Sequence, residues 1–544
     1  MTAQNPSEFP LPPDLEGFWQ WDKLHCPRPL APLEHELLLE STSEGFSKAM
    51  GELGSTLRAV TRSINYYNYL SGAPRDLQGE DLTARLARYD ANVTDLTRHV
   101  GERWEKEWLP AILPVLEHRR NDDYARLNDA GLLREFDAMR DEVRYRWYVH
   151  GMLLYSFFAA GVFADFYKDA LQAADEKEGY EALQGFPSMA LESSRGLWRL
   201  SRVVRADAEL RRLFEVARAE DLVSGLEATE TGRSFRRLLD EYLADFGWRA
   251  DSVYELRRPS WREDPSIPLN AIQGYVSIGD DGGPDAQFEA AVRRREQLLA
   301  EARRRLGGEP AKLARFNELY ESARSFTPIV EDHNHYIDQM GDILMRYPAL
   351  ELGRRLAARG SLAASDDVFL LRCAEIGAAM NGSDLKELAA ARRAEMEHFA
   401  RVVPPLFIGP PPPPSDDPIV DVIVRFFGVP VEPSADPAVI TGIAASPGTA
   451  RGPARVVRDL AEASKVSPGD VLVCEMTLPP WTPLFSTACA VVADTGGILS
   501  HCAIVARENR IPCVVGTAIG TTAIRDGMIL TVDGSRGIVR IEQV

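Results

Sequence analysis

Asp494-Thr-Gly-Gly-Ile-Leu-Ser-His-Cys-Ala-Ile-Val-Ala-Arg-Glu508 is the stretch that decides how the carboxy-terminal part of this chain folds. A short β-branched run, AVVAD, ends at Asp494 and gives way to two glycines, after which apolar residues recur at helical spacing. Ser500 stands where an N-cap belongs, so a helix starts at about His501. Gly496 and Gly497 allow a sharp turn and a close backbone approach to a ligand. The unpaired N–H groups and positive dipole end of a helix start favour a phosphoryl anion there. A neutral imidazole at that point can attack phosphorus and pass the group on. A lone histidine beside two glycines is by itself more often a structural cap, so the flanks must carry the decision.

The flanks continue the pattern. From residue 438 onward, short apolar runs alternate with glycines: ARVV, GDVLVCE, CAVVAD, IPCVVG, MILTVDG and GIVRI. These read as strands, with one clear helix at CAIVAREN, and predict a compact α/β unit over 438–544. With those flanks in place, TGGILSHCAIVAREN-RIPCVVGT resembles the signature around the phosphorylated histidine of the phosphoenolpyruvate-utilising enzymes, in their mobile or swivelling domain. GIAASPGTARGPARVV, PGDVLVCEMTLPPWTPLF and the closing DGMILTVDGSRGIV keep the order of that domain. The resemblance implies that His501 carries the phosphoryl group and that Thr495 orients or tunes it. It implies too that Gly496, Gly497 and Ser500 shape a phosphate-binding loop. Cys502 departs mildly from the pattern; it reads as a small packed side chain whose place beside His501 makes it a candidate for alkylation.

Between about residues 33 and 400 the chain reads as helices, in windows such as DLTARLARYDANVTDLTRHVGERWEKEWL and DLKELAAARRAEMEHFARVV. Alternating strand patterns are scarce there, and GWRADSVYELRRPSWREDPSIP is a loop-like interruption. The apolar run Trp147 to Ala164 holds no formal charge but contains His150, Gly151, Tyr155 and Ser156. A membrane span needs ~20 mostly apolar residues, so a buried core helix is the better reading. The proline run at 410–414 is stiff and ends the helical part. The expected architecture is therefore multidomain: a large, mainly α-helical acceptor-binding domain over 1–405, a proline-rich linker over 406–437, and the α/β phosphohistidine domain over 438–544.

At 544 residues the chain has room for about two to four domains. A net charge of −19 argues against nucleic-acid and anionic-membrane partners. Six cysteines without a CxxC pair, and an amino terminus without a basic and then apolar leader, predict a cytoplasmic protein with reduced thiols.

FWQWDKLHCPRPLAPL, FGWRADSVYELRRPSWREDP and EDHNHYIDQ resemble the acceptor-binding region of rifampin phosphotransferases. No ATP-grasp region, GxxxxGK[ST] loop or barrel series is visible. By analogy with two-subunit dikinases acting on phenolic compounds, this implies that a separate ATP-grasp subunit binds Mg²⁺-ATP and charges His501. The acceptor is then a small aromatic hydroxyl compound. The alternatives are a rifamycin-like antibiotic as acceptor, a phosphohistidine relay without a small-molecule acceptor, and a sequestering protein with a vestigial histidine domain. His333, flanked by Glu331, Asp332 and His335, is the candidate general base, against a plain helix hydrogen-bond network. Lys23 and Arg28, with His25, form one cationic cluster on the acceptor side; Arg257, Arg258 and Arg262 form another, with Arg262 as a phosphate clamp. Trp248 and Trp261, with Trp19 and Trp21, are candidate walls of an acceptor pocket, though any one of them reads equally as a core aromatic. Arg293 to Arg295 read as solvated surface, and no residues suggest a resident metal site.

Overall fold

The computed structural model describes residues 8–77, 79, 81–277, 283–410, 418–428, 431–477, 481–485 and 487–543. Most of the proline run at 410–414, and Leu478 to Pro480 of the quoted PGDVLVCEMTLPPWTPLF segment, lie outside them. The chain forms two compact units, each assembled from separated segments. The first comprises Met1–Tyr155, Ser252–Arg258 and Tyr336–Asp417; the second comprises Ser156–Asp251, Pro259–His335 and Pro418–Val544.

The first unit is helical but not purely so. The expected periodic windows form Leu82–Arg103 and Lys386–Phe399, the former capped by Asp81, whose carboxylate accepts from the N–H groups of Thr83 and Ala84. Beside them lies a small antiparallel sheet of β1 (Trp19–Trp21), β2 (Leu57–Ile64), β3 (Tyr67–Pro74) and β4 (Phe407–Ile408), in the order β2-β3-β1-β4. Strands were not expected in this region. The hairpin β2–β3 closes through Asn65 and Tyr66, both at positive φ (49° and 70°), the turn geometry that matches strand twist. Trp19, Trp21, Tyr67, Tyr69 and Ile408 make its core, so two of the tryptophans read as pocket walls are sheet-core residues.

In the second unit, the helices Met189–Ala206, Glu230–Phe246 and Ser266–Val276 enclose Leu197, Phe235, Trp261, Ile272 and Tyr275. Pro284–Leu306 and Pro310–His333 pack around Phe163, Tyr167, Leu299 and Phe316. The apolar run that needed a membrane test sits in the helix Asp129–Leu171, with 61% of its most apolar window buried inside the protein, as in a core helix.

The carboxy-terminal layer is a mixed eight-stranded sheet: β5 (Val439–Thr441), β6 (Ile443–Ser446), β7 (Thr449–Val457), β8 (Val471–Cys474), β9 (Ala490–Ala493), β10 (Cys513–Val515), β11 (Ile529–Asp533) and β12 (Ile538–Gln543). Its order is β5-β12-β11-β7-β8-β9-β10-β6, with β7, β8, β9 and β10 parallel to one another. Alternate residues of β8 and β9 enter opposite cores, Val471, Val473, Ala490 and Val492 on one face and Leu472, Cys474, Val491 and Ala493 on the other. Burial on both faces is why these strands read as unbroken apolar runs. The segment expected to be linker carries structure at both ends: β4 belongs to the first unit, and Pro418–Phe427 is a helix of the second.

Candidate functional site: the His501 loop and a histidine–aspartate pair

β9 delivers the chain to the carboxyl edge of the parallel strands, the place where such sheets hold their ligands. Gly496 turns it at φ +99°, and a Cβ there would stand 2.8 Å from Ser500 Oγ. Gly497 lies against the helix Pro418–Phe427 so closely that a Cβ would run into the Arg425 carbonyl. The N–H groups of Gly497 and Leu499 donate to the carbonyls of Phe426 (2.8 Å) and Arg425 (2.9 Å), so this helix backs the loop. Arg425 in turn reaches Asp165 at 2.9 Å, and Phe426 meets the edge of Phe157. Ser500 is the N-cap: its hydroxyl accepts from the Ala503 N–H and donates to the Gly497 carbonyl at 2.8 Å. The helix His501–Glu508 follows, as the sequence predicts.

His501 is its first residue. The imidazole presents Nδ1 to Thr477 Oγ1 at 3.5 Å, while its buried Nε2 has no partner among the described residues. Burial holds its pKa down to about 3, so the ring is neutral at any working pH. A neutral ring with Nδ1 facing a hydroxyl and Nε2 unpaired is the form that attacks phosphorus through Nε2. Thr477 comes from the loop after β8 and was not singled out from the sequence. Thr495 does the work expected of neither a proton carrier nor an imidazole partner: its N–H and its hydroxyl both donate to the Glu475 carbonyl at 3.0 Å. It staples the loop after β9 to the loop that carries Thr477, so it orients His501 at one remove. Asp494, 5% exposed, accepts from the Thr517 hydroxyl and the Thr521 N–H and fixes the strand end. Cys502 is also buried, its Sγ 3.7 Å from that of Cys513, and so is packed rather than open to alkylation.

The acceptor-side expectations are redistributed. His333 is 3% exposed in the last turn of its helix, where Nδ1 donates to the Ile329 carbonyl at 2.9 Å. Asp332 accepts from the Met189 N–H at 2.8 Å. The His333 ring is thus tied into a helix hydrogen-bond network through Nδ1, which leaves Nε2 as its basic nitrogen. His335 is held down to about 3 by burial and by the Arg249 guanidinium beside it. Trp261, 1% exposed, lies in the helical core, and Trp248 donates to the Ala244 carbonyl with the exposed Arg262 guanidinium 4.3 Å above its ring. Trp261 is thus a core aromatic, and Trp248 and Arg262 pack on each other in the second unit.

Lys23 and Arg28 belong to the first unit, in a different setting. Lys23 lies over the Trp21 ring at 5.5 Å. Arg28 pairs with the buried Glu255 (2.8 Å), and Arg257 with the fully buried Glu34 (3.3 Å), so two segments far apart in sequence are zipped together by reciprocal ion pairs. Arg28 and Arg257 thus hold the protein's own carboxylates. His25 is on the same segment as Arg28, and its Nδ1 stands 2.9 Å from Asp22 Oδ1 while 29% of its side chain stays exposed. Burial pulls its pKa down, but the charge and hydrogen bond of Asp22 outweigh this and raise it above the usual histidine value. Tyr254, at φ +62° and buried, meets the His25 ring edge-on and stacks on Trp147. A non-glycine residue held at positive φ is a strained position of the sort that collects at functional sites. Asp342 is paired with Arg146 at 3.0 Å, and burial pushes its carboxyl up against the pull of that guanidinium.

Comparison with known proteins agrees with this layout. The rifampicin phosphotransferase fourth domain matches residues 148–331, and the PEP-utilising enzyme mobile domain matches 466–537. The chain is 35% identical to chondramide synthase cmdD of Chondromyces crocatus over 98% of its own length and 14% of that protein. It is 36% identical to the uncharacterized phosphotransferase YvkC of Bacillus subtilis over 69% of its length and 44% of that protein. It is 28% identical to the rifampicin phosphotransferase of Streptomyces sviceus over 62% of its length and 38% of that protein. The chain thus spans less than half the length of these relatives. With the helical region and the histidine loop both matched, the chain is a rifampicin phosphotransferase-like protein of the PEP-utilising enzyme family.

Proposed function

We propose that the chain is the histidine-carrying and acceptor-binding part of an ATP-dependent phosphotransferase. The observation that carries this is His501 itself: a neutral imidazole at the carboxyl edge of parallel strands, on a glycine turn, with an unpaired Nε2. An ATP-grasp partner, outside these 544 residues, holds Mg²⁺-ATP and charges that nitrogen with one phosphoryl group, while water takes the other as inorganic phosphate and AMP leaves. The phosphohistidine domain then swivels, and the P–N bond breaks as the acceptor oxygen bonds phosphorus; the proton lost by the acceptor goes to a base and Nε2 recovers its lone pair. We assign that base to His25, ordered by Asp22, in place of His333. The acceptor is a hydroxyl of a small aromatic compound. A rifamycin-type antibiotic is the second reading, favoured by the rifampicin phosphotransferase match over 148–331. The reduced thiols suit a cytoplasmic setting.

The test is a chase. The chain is labelled at histidine with radiolabelled Mg²⁺-ATP and an ATP-grasp protein in trans, freed of nucleotide, and mixed with phenol or with rifampicin. Transfer of label to either compound supports the reading and separates its two forms. A stably labelled protein that loses its label only to water with both would leave a relay and contradict the proposal.

A further inference from the structure

The second unit contains a cavity of about 150 Å³, lined by Glu181, Gln184, Arg294, Ser446, Arg507 and Arg510, beside the carboxyl end of the His501 helix. Arg294 is at the surface, as the sequence predicts, and its guanidinium bonds Glu181 at 2.8 Å, which neutralises the carboxylate of the lining. Two guanidinia remain. Arg507 is 4% exposed and donates to the carbonyls of Ala445 and Ile498, both at 2.9 Å, over the ring of Tyr180. Among the described residues no carboxylate comes within ion-pair distance of it, and its buried Nε has no acceptor. Arg510 is exposed, and no side-chain partner of its guanidinium is found among the described residues. Ser446 is fully buried, and its hydroxyl too has no partner among the described residues.

A buried guanidinium without a bonded counter-charge is costly, and so is a buried hydroxyl without a hydrogen bond. Here both flank a void whose uncompensated groups are donors or cations. The complement is a small group rich in acceptors and negative charge. At ~30 Å³ per water, the cavity has room for about five waters, enough for a tetrahedral oxyanion. Its walls come from the helices Lys177–Glu181 and Pro284–Leu306 on one side and from β6 and the end of the His501 helix on the other.

We propose that this cavity is a binding site for a phosphate-class oxyanion, distinct from the His501 loop, which ties the phosphohistidine layer to the helices packed against it. The site is separate from transfer through His501, and its test does not depend on that reading.

The test uses the full chain and inorganic phosphate, with chloride holding ionic strength constant. Equilibrium dialysis and unfolding temperature are read together. Phosphate binds saturably and raises the unfolding temperature; chloride does not. His501→Ala keeps both effects. Arg510→Gln, at an exposed position, weakens binding by about tenfold, the loss of one charge-assisted contact. Ser446→Ala weakens it in the same direction. AMP and ATP distinguish the source: tighter binding of either, still weakened in Arg510→Gln, makes the occupant a nucleotide's phosphate rather than the free ion. Absence of saturable binding, binding unchanged in Arg510→Gln and Ser446→Ala, or binding lost in His501→Ala overturns the site.

Discussion

Two histidines of this chain are built on opposite electrostatics. His501 stands on a glycine turn with no ionised neighbour bonded to it, and burial keeps it neutral far below the usual histidine range. His25 sits against Asp22, and that carboxylate lifts its pKa despite burial. The first is suited to be a nucleophile, because protonation never competes with attack. The second is suited to be a base, because its partner stabilises the imidazolium that forms when it accepts a proton. The pairing teaches that residue type alone does not assign a role: His501, His25 and the buried His333 differ in what surrounds each ring.

The largest effect expected is from His501→Ala, which abolishes both charging and acceptor transfer while circular dichroism stays that of the parent; residual transfer in a folded variant breaks the account. His25→Gln comes next. It slows transfer to phenol by ~10²–10⁴, the usual loss of a general base, while charging of His501 is unchanged. If charging falls instead, the comparison of the two histidines is wrong.

The pH profiles sharpen the same contrast. With its folded pKa near 3, His501 stays deprotonated, so charging is flat over about pH 5 to 8. Transfer to the acceptor needs His25 unprotonated and therefore rises with pH through a value above 6.5, the ordinary histidine value from which Asp22 raises it. An Asp22→Asn variant moves that midpoint down. A charging rate that falls off below 6.5 would show a solvated His501.

Thr477→Val removes the hydroxyl facing Nδ1 and slows charging by roughly tenfold, read by the rate of label uptake. Gly497→Ala drives a Cβ into the Arg425 carbonyl and costs ~1–3 kcal/mol of stability, measured by denaturant unfolding. Arg262→Ala loses a stacking contact on Trp248 worth about 0.5–1 kcal/mol and leaves both half-reactions intact; a defect in transfer there would restore Arg262 to the site.

The histidine loop was legible because its information is local. Gly496, Gly497, Ser500 and His501 lie within one turn, and the strands around them are buried on both faces and so read as continuous apolar runs. Thr477 was not, because it meets His501 only through the order β8-β9 of the sheet, which no spacing reveals. The His25–Asp22 pair was within reach, since the two are three residues apart, but its neighbours Lys23 and Arg28 made the segment read as cationic; Arg28 is in fact neutralised by Glu255, 227 residues away. The compact units were beyond sequence reading, because their boundary after Tyr155 falls inside the continuous helix Asp129–Leu171, where composition does not change.

The account rests on phosphoryl transfer through His501, and peptide mass spectrometry tests it most directly. The chain is incubated with Mg²⁺-ATP and an ATP-grasp protein at neutral to alkaline pH, where phosphohistidine survives, and then digested. The account predicts one added phosphoryl group, acid-labile, on the peptide that contains His501, lost when the acceptor is supplied. Label on any other residue, or none on His501 while an acceptor is phosphorylated, would contradict it.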